Sequence, residues 1–523
     1  MCVNKWDFAH DTVSEAITLY ANWVDYEMAT ELTVLIPAVN TDEDIYLDEN
    51  DNSVYDVALN FTQTRSNTVT VDFGDGSEPV STVTTGQCSL THTYSVGDEP
   101  AEYTIRIQKD RYNKYLLGNE INEDSNNPIT AVMPSKILTA INLSWDVATT
   151  NNYAFANSNI SDINLTPYIS ELAVGVFKHC LGITAAVIPN SVLRIGAEAF
   201  WNCHNITGSI TIPNSVVELG DNAFRECEKI TAVTLGTGLT KINKQVFYAD
   251  IALADITFPE NITLIDDNAF QTCTALTTVD IPASVTRLGT SVFANCRNLN
   301  KVYLRNKNLV TDKLIFQSCS KLTSAGSIGG NYHIEFAWDV EIPDHAFECG
   351  RGAGYLRQVT LPQTLKRIGS YAFENCALTS INIPGTIWDA QSSVIYTGVE
   401  YIGERAFYWN RALTYIEIPT SVKAVGPNAF SDCELEVIVN HMRSNEVLLV
   451  NEENKTQAIF SVSPQNQRQN VRVVVPEVVE CPPGHEEGGG TFITYGTHWN
   501  YYTTIEVDGQ PQDVFLTYTT MSD

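Results

Sequence analysis

The stretch FQTCTALTTVDIPASVTRLGTSVFANC, Phe270 to Cys296, contains one complete repeat unit and the beginning of the next. The unit reads Phe-x-x-Cys-x-x-Leu-x-x-Val-x-Ile-Pro-x-Ser-Val-x-x-Leu-Gly-x-x-x-Phe, and its phenylalanine recurs mostly 22 to 24 residues apart. Such a period predicts a solenoid, in which stacked coils bury one continuous apolar interior. The register phenylalanines are Phe155, Phe177, Phe200, Phe224, Phe247, Phe270, Phe293, Phe316, Phe347, Phe373, Phe407 and Phe430.

Each unit predicts one short strand. Val279 and Ile281 alternate about Asp280, as in a strand with one face turned inward. Pro282 should end that strand, because proline has no N–H to donate to a sheet. Stacked copies of the unit therefore predict a parallel sheet along the solenoid.

Eight of the twelve cysteines stand three residues after a register phenylalanine. One cysteine per unit is unlike the paired, irregular spacing of a disulfide framework, and Ser158, Asp250 and Asn410 replace it in three units. We therefore predict free, buried thiols that pack as small apolar side chains. The chain has no Cys-x-x-Cys pair of the kind that binds zinc, and we predict neither a metal nor a cofactor. The eight are Cys180, Cys203, Cys227, Cys273, Cys296, Cys319, Cys376 and Cys433.

The formal net charge is −31, from 62 acidic and 31 basic residues among 523. This balance argues against a nucleic acid or an anionic membrane surface as partner, since both attract a positive face. The N-terminal residues have neither the basic nor the apolar segment of a signal peptide, and no apolar run is long enough to span a membrane. We expect a cytosolic chain, a piece of a longer exported protein, or export by another route.

Residues 153–440 resemble the BspA-like leucine-rich repeats of bacterial surface proteins. The resemblance rests on copies such as IGAEAFWNC, Ile195–Cys203, and IGSYAFENC, Ile368–Cys376, followed by IPNSV, IPASV or IPTSV. It implies a mainly β fold, a leucine-rich-repeat solenoid with a parallel sheet. Residues 119–152 should close the first coil, and residues 441–523 should form a C-terminal cap and tail, because an array needs atypical ends.

The N-terminal part resembles two other modules. Residues 1–24 end in AITLYANW and resemble the tail of a Listeria–Bacteroides repeat, the B-type repeat of internalins; an ordinary aromatic strand is the alternative. Residues 25–118 resemble a polycystic-kidney-disease (PKD) repeat, an immunoglobulin-like β-sandwich. Its motifs are VDFGDGS, Val71–Ser77, THTY, Thr91–Tyr94, and AEYTIRI, Ala101–Ile107.

Two features of this N-terminal part could suggest chemistry. His92 and Asp75 lack an accompanying nucleophile or base, so we predict structural roles for both. The acidic run over residues 42–51 lacks the spacing of an EF-hand loop, which favours a solvated loop over a calcium site.

The candidate binding residues come from the sheet and from insertions. The outward-facing column of the sheet is mostly small and polar, but it includes Asp280 and Tyr303. Three intervals between register phenylalanines are 31, 26 and 34 residues long, and we expect these insertions to form loops on one edge. Their aromatic residues either contact a ligand or pack the loops onto the solenoid. The candidates are Tyr332, Trp338, Trp388, Tyr396 and Tyr401.

The sequence offers no nucleophile–base pair and no opposed carboxylates, so it predicts no enzyme. The resemblance implies a recognition or adhesion protein that is extracellular or on a cell surface and binds a protein or glycan ligand. The alternative is a structural or host-attachment part of a bacteriophage virion, as a fibre or decoration protein. A homo-oligomer or a virion partner stays open, whereas nucleic acid and membrane insertion are not expected.

Overall fold

In the computed structural model, the described residues are 29–441, except 40–41, 43, 64–65, 67, 84, 110–114, 119–135, 144–146, 148, 351, 353 and 390–393. Three C-terminal strands are also described, β35 (Arg472–Val474), β36 (Asn500–Val507) and β37 (Gln510–Thr517). These residues form strands and turns and contain no helix. The resemblance over residues 1–24 lies outside the described part of the chain.

The N-terminal part folds into two sheets. In the first sheet, strand Ala29–Ile36 lies between strands Ala101–Lys109 and Leu138–Asn142. In the second, strand Ser53–Gln63 pairs with Tyr46–Leu47, Gly86–Ser95 and Tyr115–Leu117. The sheets meet through aromatic rings, and the ring centres of Tyr94 and Tyr103 are 4.7 Å apart. The Tyr94 hydroxyl also donates a hydrogen bond to the Phe73 carbonyl at 2.8 Å. The strands are β1 (Ala29–Ile36), β2 (Tyr46–Leu47), β3 (Ser53–Gln63), β4 (Val69–Asp72), β5 (Val80–Thr82), β6 (Gly86–Ser95), β7 (Ala101–Lys109), β8 (Tyr115–Leu117) and β9 (Leu138–Asn142).

The turn that follows β4 has the geometry that its glycines predict. Gly74 and Gly76 have φ angles of 80° and 86°, which residues other than glycine adopt at a cost. A Cβ on Gly74 would lie 2.4 Å from the Thr104 carbonyl oxygen, so this turn also needs glycine for space.

One strand joins the N-terminal sheet to the solenoid. β9 pairs antiparallel with β1 on one side and parallel with β10 (Asp162–Asn164) on the other. Asn151 adds a second connection, because its side-chain amide donates to the Gly118 carbonyl at 2.6 Å. The first sheet therefore continues into the first coil, whose open side it covers.

The solenoid carries two parallel ladders. Strands of two to five residues form the main ladder, and in those like Thr278–Ile281 and Tyr415–Ile418 a buried residue alternates with an outward-facing one. These strands are β13 (Gly208–Thr211), β15 (Ile230–Thr234), β17 (Asp255–Thr257), β19 (Thr278–Ile281), β21 (Lys301–Leu304), β23 (Ser324–Ser327), β24 (Ile334–Phe336), β26 (Gln358–Val359), β28 (Ser380–Ile381), β32 (Tyr415–Ile418) and β34 (Val437–Asn440). As predicted, β19 ends at Ile281, directly before Pro282.

Two-residue strands form the second ladder, which the sequence analysis did not predict. They follow the turn after each main strand, as Arg287–Leu288 follows Thr278–Ile281. These strands are β11 (Glu171–Leu172), β12 (Arg194–Ile195), β14 (Glu218–Leu219), β16 (Lys241–Ile242), β18 (Leu264–Ile265), β20 (Arg287–Leu288), β22 (Val310–Thr311), β25 (Glu341–Ile342), β27 (Arg367–Ile368), β31 (Tyr401–Ile402) and β33 (Ala424–Val425).

The third side of each coil is a turn around the register phenylalanine. Around Phe270, Asn268 and Thr272 have positive φ angles of 56° and 67°. The N–H groups of these three residues donate to the next coil at 2.8 to 3.0 Å, which adds a hydrogen-bond row along the solenoid. The rings stack at 5.0 to 6.1 Å in two runs, Phe155 to Phe316 and Phe347 to Phe430.

The eight register thiols are free, and each lies 3.0 to 3.2 Å from the carbonyl oxygen of the phenylalanine one coil earlier. The thiols were predicted as packing groups, and they are also hydrogen-bond donors between coils. Burial raises their pKa, which keeps the proton on sulfur.

The sequence analysis expected the insertions to form loops on one edge, but two of them form strands. The 31-residue interval contributes β24, which enters the main ladder between β21 and β23 and is parallel to both. The 34-residue interval forms an antiparallel hairpin of β29 (Ile387–Asp389) and β30 (Val394–Tyr396). Backbone N–H and C=O groups of the first insertion thus find partners inside the sheet.

Candidate functional site

The candidate site is a patch on the outer face of the main ladder, formed by Asp280, Lys301, Tyr303, Arg305 and Tyr332. Strand alternation places Lys301 and Tyr303 on the same side of β21, and Arg305, directly after the strand, continues the alternation. The Lys301 ammonium lies 5.0 Å and the Arg305 guanidinium 5.2 Å from the centre of the Tyr303 ring. Two cations therefore flank a half-buried tyrosine.

Asp280 completes one side of this patch. The register pairs it with Tyr303 on the neighbouring strand, and its carboxylate accepts two hydrogen bonds from Arg305 at 2.5 and 2.6 Å. Half of the Asp280 side chain and 44% of Arg305 stay exposed, so the ion pair is accessible.

Glu335 lies behind the patch on the inserted strand and is only 5% exposed. It accepts from Lys301 at 2.5 Å and from the Gly329 backbone N–H at 2.7 Å. The hydrogen bond from Lys301 is the main cause that lowers the pKa of Glu335, with that of Gly329 second. The inserted strand therefore holds the Lys301 side chain in place beside Tyr303.

Tyr332 closes the opposite side of the patch. Its carbonyl accepts from the Lys301 ammonium at 2.6 Å, and its ring covers two glycines. A Cβ on Gly326 or Gly330 would lie 2.2 Å from the ring, so a side chain at either position would displace Tyr332. The structure thus brings together three predicted residues, Asp280, Tyr303 and Tyr332.

Trp338 is not a surface residue, which corrects its assignment as a ligand contact. It is 2% exposed, and its indole N–H donates to the Leu309 carbonyl at 3.2 Å. Its ring lies 5.2 Å from Phe336 and 5.7 Å from Phe347. Trp338 and Phe336 fill the interior where the long interval leaves no register phenylalanine between Phe316 and Phe347.

The other three predicted residues lie elsewhere. Tyr401 belongs to the second ladder, where it is 36% exposed and the Arg367 guanidinium lies 5.4 Å from its ring. Trp388 and Tyr396 belong to the hairpin, whose register pairs them with Ile395 and Ile387. The side chains of Trp388 and Tyr396 lie outside the described part of the structure.

The sequence analysis missed a row of alternating cations and aromatic rings beside the phenylalanine stack. The Lys178 ammonium and the Arg225 guanidinium lie 4.0 and 5.0 Å from the Trp201 ring, and Arg225 is also 4.6 Å from the Tyr248 ring. Each residue directly follows a register phenylalanine, which is the signal that would have revealed the row. Because cations lie against Trp201 from both neighbouring coils, this row stabilises the stack and offers little ring surface to a ligand.

The N-terminal part shows structural contacts at the two places considered for chemistry. His92 Nε2 lies 2.8 Å from the Asp75 carboxylate. Partial burial by itself would raise the pKa of Asp75, but hydrogen bonds from Ser77 and His92 outweigh it and lower this pKa to about 2. In the acidic run, Asp48 accepts from the backbone N–H groups of Asn50 and Asn52.

Two further observations concern the described residues only. No group of three or more His, Cys, Asp and Glu side chains among them is arranged to hold a metal ion. A search of the same residues for a helix long and apolar enough to cross a membrane found none.

The two ladders and the phenylalanine stack define a leucine-rich-repeat solenoid. The family described as the BspA type leucine rich repeat region matches in six copies, over residues 130–207, 206–323, 340–396 and 389–447. These matches cover more than half of the chain, so the chain belongs to the BspA-type leucine-rich-repeat family.

Solved structures of leucine-rich-repeat proteins are similar to this chain at low sequence identity. A leucine-rich repeat protein from Bacteroides ovatus is 26% identical, over 62% of this chain and 84% of that chain, with a TM-score of 0.46. A leucine rich cell surface protein from Faecalibacterium prausnitzii is 25% identical over the same shares, with a TM-score of 0.37. The pneumococcal vaccine antigen PcpA is 16% identical, over 73% and 76%, with a TM-score of 0.33. No curated protein matches the chain.

Proposed function

We propose that this chain is a non-enzymatic recognition protein, that it works at a cell surface, and that it binds a partner protein through the patch around Tyr303. The observation that carries this proposal is the exposed Asp280–Arg305 pair beside a tyrosine flanked by two cations. Tyrosine and arginine are the residue types that most often dominate binding energy at protein interfaces.

The setting of the patch supports the same function. In the coils directly before the patch, the outward column consists of the short polar side chains Thr211, Thr234 and Thr257, which lie in register. Aromatic and charged groups therefore first appear on this face where the inserted strand enters the sheet, and a second group, Tyr415 and Glu417, follows further along. A rigid sheet also holds these groups in place before binding, which reduces the entropy lost on association.

The mixture of charges favours a protein over a glycan as ligand. Lys301 and Arg305 are each paired with a carboxylate, so the patch offers both signs to a partner surface. The alternative role in a phage virion finds no support in the fold or the family match.

The test is an array of extracellular matrix proteins and glycans probed with purified variants. A double variant, Tyr303→Ser with Arg305→Ser, should weaken binding by about tenfold or more, because both groups would contact the partner. The matched control is Tyr401→Ser with Arg367→Ser, which removes the equivalent cation–tyrosine pair from the second ladder.

The control variant should bind as the unchanged chain does. Equal losses in both variants, or no loss in either, would contradict the proposal. A third variant without the hairpin of residues 387–396 tests whether Trp388 and Tyr396 contribute; unchanged binding would exclude them. Signal confined to glycan spots would reassign the ligand class.

A further inference from the structure

One residue in the cysteine column differs chemically from all the others. In eight coils, a thiol lies at hydrogen-bonding distance from the phenylalanine carbonyl one coil earlier, and Asn410 makes the same contact with an amide N–H. The Asn410 amide nitrogen lies 2.8 Å from the Phe373 carbonyl oxygen. Every one of these groups can donate a hydrogen to the phenylalanine carbonyl of the coil before it.

Asp250 occupies this position in the coil of Phe247 and has no exposed surface. One oxygen, Oδ1, accepts from the backbone N–H of Cys227 at 2.8 Å. The other, Oδ2, is buried without a hydrogen-bond partner. A carboxylate has no hydrogen to donate, so an ionised Asp250 would leave Oδ2 buried without a partner. It also could not give the Phe224 carbonyl, which accepts from the Cys227 backbone N–H at 3.2 Å, the additional donor that the other coils supply.

We propose that Asp250 is a neutral carboxylic acid in the folded protein, that its Oδ2–H donates to the Phe224 carbonyl, and that its ionisation loosens this part of the array. The protonated carboxyl then reproduces the Asn410 amide, with one acceptor and one donor. The solenoid carries a pH-sensitive element within its regular part.

The groups around Asp250 favour the neutral form. The titratable side chains that act on it are Glu226 and Glu228 of the preceding coil, and the thiols of Cys227 and Cys273 lie on either side. The two carboxylates repel a charge on Asp250, although Glu226 is itself paired with Arg225 at 3.0 Å. Burial is the main cause that raises the pKa of Asp250 well above its ordinary value.

The sign of the pH dependence follows from proton linkage. Below the ordinary aspartate pKa of about 3.9, the folded and unfolded chains both hold the proton, and the full stability is present. Above it, the unfolded chain releases the proton while the folded chain keeps it. The unfolding equilibrium constant should then rise about tenfold per pH unit until the pH reaches the folded-state pKa.

The experiment compares the full chain with Asp250→Asn and Asp250→Cys in urea unfolding, over a series from about pH 4 to pH 8. Both variants supply a neutral donor like those of the other coils. The ratio of the unfolding constants, unchanged chain over variant, should grow about tenfold per pH unit through the window. A ratio that is constant with pH would overturn the proposal, whatever its size.

Two further measurements keep the test decisive if a variant folds poorly. An infrared carbonyl band of a protonated carboxyl should be present in the unchanged chain at neutral pH and absent from Asp250→Cys; its absence from the unchanged chain would contradict the proposal. The reciprocal variant, Asn410→Asp, should gain the same pH dependence in hydrogen exchange of its own coil. Protection factors of that coil that do not change with pH, once the intrinsic pH dependence of exchange is divided out, would also overturn the proposal.

Discussion

The coils from Phe155 to Phe316 and those from Phe347 to Phe430 have the same parts but reach them by different chain paths. In the first region, successive phenylalanines are 22 to 24 residues apart, and a phenylalanine ring fills the same interior position in every coil. In the second region, intervals of 26 and 34 residues carry extra segments, and a 31-residue interval separates the two regions. The rings nevertheless stack at similar distances on both sides of the break.

The difference shows what a coil requires of its neighbours. Each coil contacts only the next one, so an insertion is tolerated where it restores backbone pairing and interior volume. The strand Ile334–Phe336 supplies the pairing to β21 and β23, while Phe336 and Trp338 supply the volume. Regular spacing is therefore one way to fill the interior, and a non-register aromatic pair is another.

The largest expected change in the free energy of unfolding comes from a test of whether these two ways of filling the interior are equivalent. We expect Phe270→Ala and Trp338→Ala each to lower the free energy of unfolding by about 3–5 kcal/mol, because both remove a large, fully buried ring. Urea unfolding measures both changes. Trp201→Ala is the matched control: it removes the same indole from a half-buried site between two cations and should cost about 1–2 kcal/mol.

A loss below about 1 kcal/mol for Trp338→Ala would break the comparison. It would mean that the inserted segment only covers the solenoid and that the interior at the break is filled by other groups.

The next effect concerns the ion pair that ties the inserted strand to the regular region. We expect Lys301→Met to cost about 1–3 kcal/mol near neutral pH, because it leaves the Glu335 carboxylate buried without its cation. Since the pKa of Glu335 is lowered in the folded chain, the stability from this pair is present above the ordinary glutamate pKa, about 4.3, and is lost as the pH falls below it.

The cost of Lys301→Met should therefore shrink in acid, which urea unfolding at neutral pH and near pH 4 can measure. Lys241→Met, on the exposed face of the second ladder, is the control and should change little at either pH. An equal cost at both pH values would mean that Lys301 acts by packing alone.

The comparison also explains what the sequence could predict. The main strand, its end at Pro282 and the phenylalanine stack follow from a repeat that one unit displays completely. The second ladder was missed, because a two-residue strand such as Arg287–Leu288 has too few positions for an alternating pattern. Trp338 was assigned to a loop because no rule of spacing indicates that an insertion will enter the sheet.

The residues of the candidate site also fall into two groups, those that the sequence could predict and those that it could not. Asp280 and Tyr303 were predicted from strand alternation, which holds within a regular coil. Lys301 and Arg305 were not singled out, since their importance depends on Glu335 from the inserted strand and on Asp280 from the preceding coil. Long-range pairing of this kind is set by the three-dimensional path of the chain.

The smallest expected effect on stability is at the exposed pair of the patch. Removing the Asp280–Arg305 pair by Asp280→Ala, Arg305→Ala and the double variant should reveal a coupling energy of roughly 0–1 kcal/mol, because water screens both groups. Double-mutant urea unfolding measures this coupling, and added salt should reduce it further.

The same variants should nevertheless differ in binding if the patch contacts a partner, since an interface excludes the water that weakens the pair. A coupling well above 1 kcal/mol would instead assign the pair to the stability of the coils and make it unsuitable as a binding probe, which would leave Tyr303 as the residue to test.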